Sequence, residues 1–173
     1  MATPVAAFAQ IANECEKEGL TPSNSERIGQ EIAKTFNLQP DEVGILKLEK
    51  QSLIFVYPAK LHMVGTIPLN TAGSVAARTA TSKRAEVINA FAQAKHVSVF
   101  ESVDLGQKDA MSEKTVHTIQ KLMAAPVITQ EGTLGVIEVC RKGTSAPAAG
   151  PDFSPVDLQR LAGIATALAK CFK

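Results

Sequence analysis

A chain of 173 residues, 45% hydrophobic and 20% charged, has the length and composition of one globular domain able to bury roughly 70% of its unfolded surface. Eighteen basic against 17 acidic residues leave a formal net charge of +1, and the basic doublets Lys83-Arg84 and Arg141-Lys142 are too short for the electrostatic footprint that nucleic acid requires. No apolar run approaches the roughly 20 residues that cross a bilayer, and no basic segment followed by an apolar core marks a signal peptide. The expectation is a single cytoplasmic domain over residues 1–173 that contacts neither nucleic acid nor membrane. Cys15, Cys140 and Cys171 form no CxxC and read as reduced, mostly buried thiols.

Two helices come first. Val5, Phe8, Ala12 and Cys15 repeat at helical spacing behind Thr3-Pro4, and Gly19 stops the run. A second helix is predicted to start at Ser23 to Ser25, with Ile28, Ile32 and Phe36 as its buried stripe and Pro40 at its end. Strands follow at Glu42 to Glu49 and Ser52 to Tyr57, and the two-residue link Lys50-Gln51 predicts a hairpin. A third strand is placed at Met63 to Leu69, a short helix at Thr71 to Thr81, and a weak strand at Ala85 to Ile88.

Asn89 to Val116 shows no sustained period, as expected of a lid or binding loop. The pattern resumes with Ile119 to Thr129 and Leu134 to Arg141, joined by Gln130-Glu131-Gly132-Thr133. These strands are apolar on both faces and should lie centrally. Thr144 to Pro155 carries three prolines and reads as a surface loop. The last helix has Ser154 as N-cap, Pro155 at its first position and Asp157 two residues later. Its seam of Leu158, Leu161, Ala165, Leu168 and Phe172 is widened by Ala162, Ile164, Ala169 and Cys171, so more than one side must be covered.

This order of elements, together with four local patterns, resembles a GAF domain. Gly73-Ser74-Val75-Ala76 through Val87-Ile88-Asn89 is similar to the family's glycine-started short helix and the strand ending in Asn. Leu122-Met123-Ala124-Ala125-Pro126-Val127 looks like its strand ending in proline and an aliphatic. Gly132-Thr133-Leu134-Gly135-Val136-Ile137-Glu138-Val139 resembles its last strand, and Asp152-Phe153-Ser154-Pro155-Val156-Asp157-Leu158 the opening of its final helix. The resemblance spans about Val5 to Phe172. It implies an α/β (α+β) fold: a central antiparallel sheet of five or six strands, N- and C-terminal helices on one face, and a ligand pocket of loop and short helix on the other. It also implies a small-molecule-binding sensory or regulatory module, with output through a partner protein.

The candidate pocket residues follow from that placement. Since family members bind ligands between the sheet and the variable segment, Asn89, His96, Phe100, Glu101 and His117 are expected to line the pocket. Arg78, on the short helix, either points its guanidinium at an anionic ligand or lies on a solvated face. Glu138 alternates with Val136 and Cys140, and either anchors a donor on a ligand or pairs with a lysine of a neighbouring strand. Lys121, in an apolar strand, should face solvent or a partner. His96 and His117 show no metal-ligand spacing, and neither a metal nor another cofactor is predicted.

Catalytic patterns are missing from the sequence. There is no GxSxG and no Walker-type glycine–lysine motif. GAF enzymes that reduce free methionine sulfoxide carry cysteines in the variable segment, and bilin-binding members attach chromophore through a cysteine there; this chain has none between Cys15 and Cys140. The cyclic-nucleotide signature Asn-Lys-x-Phe-Asp-Glu is also missing. The expectation is therefore a non-enzyme, with a structural dimerisation module as the alternative and an enzyme on this scaffold third. Val5, Phe8, Ile11, Ile164, Leu168 and Cys171 are the expected interface of a homodimer joined through its helices.

Overall fold

The computed structural model describes residues 4–63, 65–91 and 118–173. Helix α1 (Pro4–Cys15) is followed by α2 (Pro22–Phe36). The start of α2 is set by Thr21, not by the serines after it: the Thr21 hydroxyl accepts from the Asn24 N–H at 3.1 Å, and Pro22 fills the first position at no hydrogen-bond cost. The helix ends on Asn37, left-handed at φ 56°, whose N–H returns to the last turn. Arg141 donates to the carbonyls of Phe36 (3.2 Å) and Asn37 (3.5 Å), a cation at the negative end of the helix dipole.

Among the described residues six strands form one antiparallel sheet: β1 (Val43–Glu49), β2 (Ser52–Tyr57), β3 (Thr66–Pro68), β4 (Glu86–Ile88), β5 (Thr118–Thr129) and β6 (Gly132–Gly143). Their order is β3-β2-β1-β6-β5-β4, so β6 lies inside the sheet, between β1 and β5. The β1–β2 hairpin turns on Lys50 (φ 49°) and Gln51 (φ 68°). Two positive φ angles match the twist of the flanking strands even without a glycine. The β5–β6 turn is tighter than the sequence suggested, because Thr129 pairs directly with Gly132 at φ 132°.

Between β3 and β4 lies α3 (Val75–Ser82), capped by the Ser74 hydroxyl on the Ala77 N–H. It is shorter than the predicted Thr71 to Thr81, as is β3 against Met63 to Leu69. The loop after β6 contains a four-residue helix, α4 (Ala146–Ala149), with Ser145 as cap. The C-terminal helix α5 (Pro155–Leu168) opens with the predicted capping box, Ser154 and Asp157 each accepting from the other's backbone N–H, and continues as a 3-10 turn to Phe172.

The sheet carries an apolar layer on each face. Helices α1, α2 and α5 cover one face, where Phe8, Ile28, Ile32, Ile45, Met123, Ile137, Leu161 and Phe172 form the core. Close approach there depends on missing side chains. A Cβ on Gly29 would sit 2.4 Å from the Tyr57 ring, and one on Gly135 would meet the Leu46 carbonyl and the Phe172 ring. On the other face α3 packs over Leu46, Phe55, Leu122, Val136 and Cys140.

This helical layer corrects the expected dimer seam. Phe8, Ile164, Leu168 and Cys171 have no exposed surface and Ile11 retains 7%; of the six residues only Val5, at 36%, is exposed rather than buried. The extra apolar side of α5 is consumed within the chain, since α1 lies against it closely enough that a Cβ on Gly163 would sit 3.1 Å from the Val5 side chain. Five of the six are therefore unavailable to a partner.

Candidate functional site on the α3 face of the sheet

The registers of three strand pairs place Glu86, Ala124, Glu138 and Gly44 in one row across β4, β5, β6 and β1. Alternation turns this row toward α3, because Val136 and Cys140 on either side of Glu138 belong to that layer. Glu138 is thus flanked by a methyl group on β5 and by no side chain at all on β1. Fully buried, it has no hydrogen-bond partner for either carboxylate oxygen. Burial, with the negative charge of Glu86 as the smaller cause, pushes its pKa up to about 8. The sequence alternative, a pair with a lysine on a neighbouring strand, does not occur.

Helix α3 supplies a second unpaired group. Thr79 is fully buried and its hydroxyl has no partner. Arg78 beside it is held by Glu86, with Nε and a terminal nitrogen both 2.8 Å from Oε1. Thus Arg78 neutralises the end of the row and leaves Glu138 without a counter-ion. Phe91 is buried in the same layer.

Other polar groups are engaged in structure. The Asn89 side chain accepts from the Phe153 N–H (2.8 Å) and donates to the Phe153 carbonyl (3.0 Å), so it ties β4 to the entry of α5 instead of lining a pocket. Lys121 is only 6% exposed at its side chain, donates to the Gly150 carbonyl and pairs with Asp152 at 2.8 Å, so of the two alternatives, solvent or a partner, it has the partner. Glu42 accepts from the N–H groups of Gln39 and Lys142, each at 2.7 Å. His96, Phe100, Glu101 and His117 lie outside the described residues.

The cysteines are free and buried. Burial pushes the Cys140 thiol well up and Cys171 up to about 11, so neither is held as a thiolate. Among the described residues no group of three His, Cys, Asp or Glu converges as a metal site, and no helix is long and apolar enough to cross a membrane.

Gly44, Thr79, Glu86, Ala124 and Phe91 escaped the sequence reading as members of the site. Gly44 inside a strand is a readable sign of close approach or open space. For Phe91, at the start of an aperiodic stretch, no local signal exists.

No family model and no curated protein matches the sequence, whereas solved structures match it along nearly its whole length. The GAF domain from the Acinetobacter phosphoenolpyruvate-protein phosphotransferase superposes with a TM-score of 0.66 at 11% identity, covering 99% of this chain and 94% of that one. fRMsr of Staphylococcus aureus, in its reduced form, gives 0.59 at 18% identity over 99% and 97%. Free methionine-R-sulfoxide reductase from Neisseria meningitidis, in complex with its substrate, gives 0.57 at 15% identity over 99% and 92%. The fold of this chain is that of GAF domains, as the sequence resemblance implied. The expectation of a non-enzyme is corrected by the same comparison: free methionine-R-sulfoxide reductase is an enzyme built on this fold, so the architecture does not exclude catalysis.

Proposed function

We propose that this chain is a small-molecule-binding regulatory module whose ligand lies on the α3 face of the sheet, above β6. The observation that carries the reading is Glu138. A fully buried carboxyl with both oxygens unpaired costs folding free energy, and an apolar residue would fill the position without that cost. Groups of this kind are kept where they meet something outside the protein's own hydrogen-bond network. Gly44 and Ala124 put no side chain longer than a methyl group on its two sides, and the unpaired Thr79 hydroxyl on the covering helix adds a second polar group to the same layer. Apolar walls with a few buried polar groups are the usual make-up of a small-molecule site.

Binding there would be felt by the helical layer through β6, since successive residues of that strand face the two cores. A ligand alters the output only if it prefers one arrangement of the two layers. Native mass spectrometry of protein incubated with a metabolite extract tests the reading. The wild type is expected to retain a small-molecule adduct that Glu138→Leu loses at unchanged fold, and the mass of the released molecule shows whether it has been turned over. Identical spectra for the two proteins would reject the site.

A further inference from the structure

The geometry points to a neutral ligand edge at this site: we infer that Glu138 acts as an un-ionised carboxylic acid that pairs, through one donated and one accepted hydrogen bond, with an amide or lactam edge of the ligand. This deepens the site proposed above and rests on it. A protonated carboxyl presents an O–H donor beside a carbonyl acceptor. An amide whose N–H and C=O lie on one side, as in a lactam ring, presents the complement.

The surroundings select that pairing over recognition of a cation. Val136 and Cys140 flank Glu138 along β6, and Leu122 and Leu46 stand on β5 and β1 in the same layer. An ion pair formed there would bring two charges out of water among apolar side chains, whereas two neutral hydrogen bonds satisfy both partners without that penalty. The charged groups on this side are few. From β4 comes Glu86, and from α3 comes Arg78, which holds it at 2.8 Å. Further along β6, Lys142 lies 3.8 Å from Asp41. On β5 the face carries Leu122 and Ala124, and on β1 Gly44, Leu46 and Leu48. Lys121 points to the opposite side, where Asp152 takes it. Among the described residues, then, no cation is directed at Glu138, and the acid keeps its proton to about pH 8. Gly44 and Ala124 place nothing longer than a methyl group beside the carboxyl in its row.

The two chemistries respond oppositely to pH and to substitution, which makes the test decisive. The amide signals of Gly44 and Ala124 in labelled protein are followed by NMR during titration with 2-pyrrolidone and, separately, with methylammonium chloride. The wild type is expected to bind the lactam at pH 6 and to bind it about tenfold more weakly at pH 9, because only the protonated acid donates. Glu138→Gln, which keeps one donor and one acceptor, should bind it equally at both pH values, and Glu138→Leu should not respond. Should the glutamine variant fail to fold, the carboxyl carbon of Glu138 in the unmodified protein decides, and an ionised carboxylate at pH 6 would overturn the assignment. Perturbation by methylammonium in place of the lactam, or lactam binding that strengthens with pH, would overturn the neutral pairing and leave the site itself standing. A lack of response to both probes would remove the site as well.

Discussion

Asn89 and Phe153, 64 residues apart, are joined by two hydrogen bonds: the Asn89 carboxamide oxygen takes the Phe153 N–H and its nitrogen gives to the Phe153 carbonyl. The side chain thereby satisfies both backbone groups at the entry to α5. The Phe153 ring meanwhile lies under the Arg141 guanidinium at 4.8 Å, so one residue ties β4, β6 and α5 together. Asn89→Ala should cost about 2 kcal/mol, as expected for stranding two partly buried groups. Asn89→Asp keeps the acceptor, loses the donor, and should fall between. Urea denaturation measures both, and equal stability of all three proteins would contradict the assignment.

Glu138 should make stability depend on pH with a definite sign. Its folded pKa, about 8 against an ordinary 4.5, lies above the unfolded value. Between these pH values the folded state holds a proton that the unfolded state has lost, so the contribution falls as pH rises through the window and is constant above it. Glu138→Gln removes the effect. Its advantage over the wild type should be small near pH 4.5, reach on the order of 3 kcal/mol at pH 7, and level off above pH 8. Denaturation curves across this range check it, and an advantage independent of pH would mean that the carboxyl is ionised in the fold.

Ile164→Glu should damage the fold itself. The side chain is fully buried between α5 and its neighbours, and a carboxylate there has neither water nor partner, at a cost of several kcal/mol. Circular dichroism and thermal melting read the outcome. A variant melting with the wild type would mean that this face of α5 is open.

Gly29→Ala tests the seat of α2 on the sheet. The added methyl would start 2.4 Å from the Tyr57 ring, so ring and helix must separate. A loss of about 1–3 kcal/mol is expected for such overpacking, read by chemical denaturation, and a neutral substitution would place Tyr57 elsewhere.

The fold was legible because its signals are local. Ser154, Pro155 and Asp157 announce a helix start within four residues, and alternation from Val136 to Cys140 fixes which way Glu138 points. What escaped depends on distant contacts. The apolarity of Ile164 and Cys171 looked like an interface because a period cannot show that α1 lies across α5. For Lys121 the choice between solvent and a partner stayed open because its partners, Gly150 and Asp152, come some thirty residues later, after a loop. Asn89 was read as a pocket residue from its place at the end of a strand, although Phe153 takes both ends of its amide. Of the expected pocket set, Glu138 stands on the α3 face as alternation required, and Arg78 lies nearby but is committed to Glu86.

The central claim is that Glu138 meets a ligand, and its own carboxyl carbon reports on that most directly. Protein carrying carbon-13 at the glutamate carboxyl is observed by NMR before and after addition of a small-molecule extract, with Glu138→Gln identifying the signal. The expected result is a Glu138 resonance of the protonated acid at pH 7 that moves on addition of the extract while the surface glutamates stay in place. A resonance that is unchanged by any fraction of the extract would contradict the claim and leave the carboxyl as an unpaired group of the core.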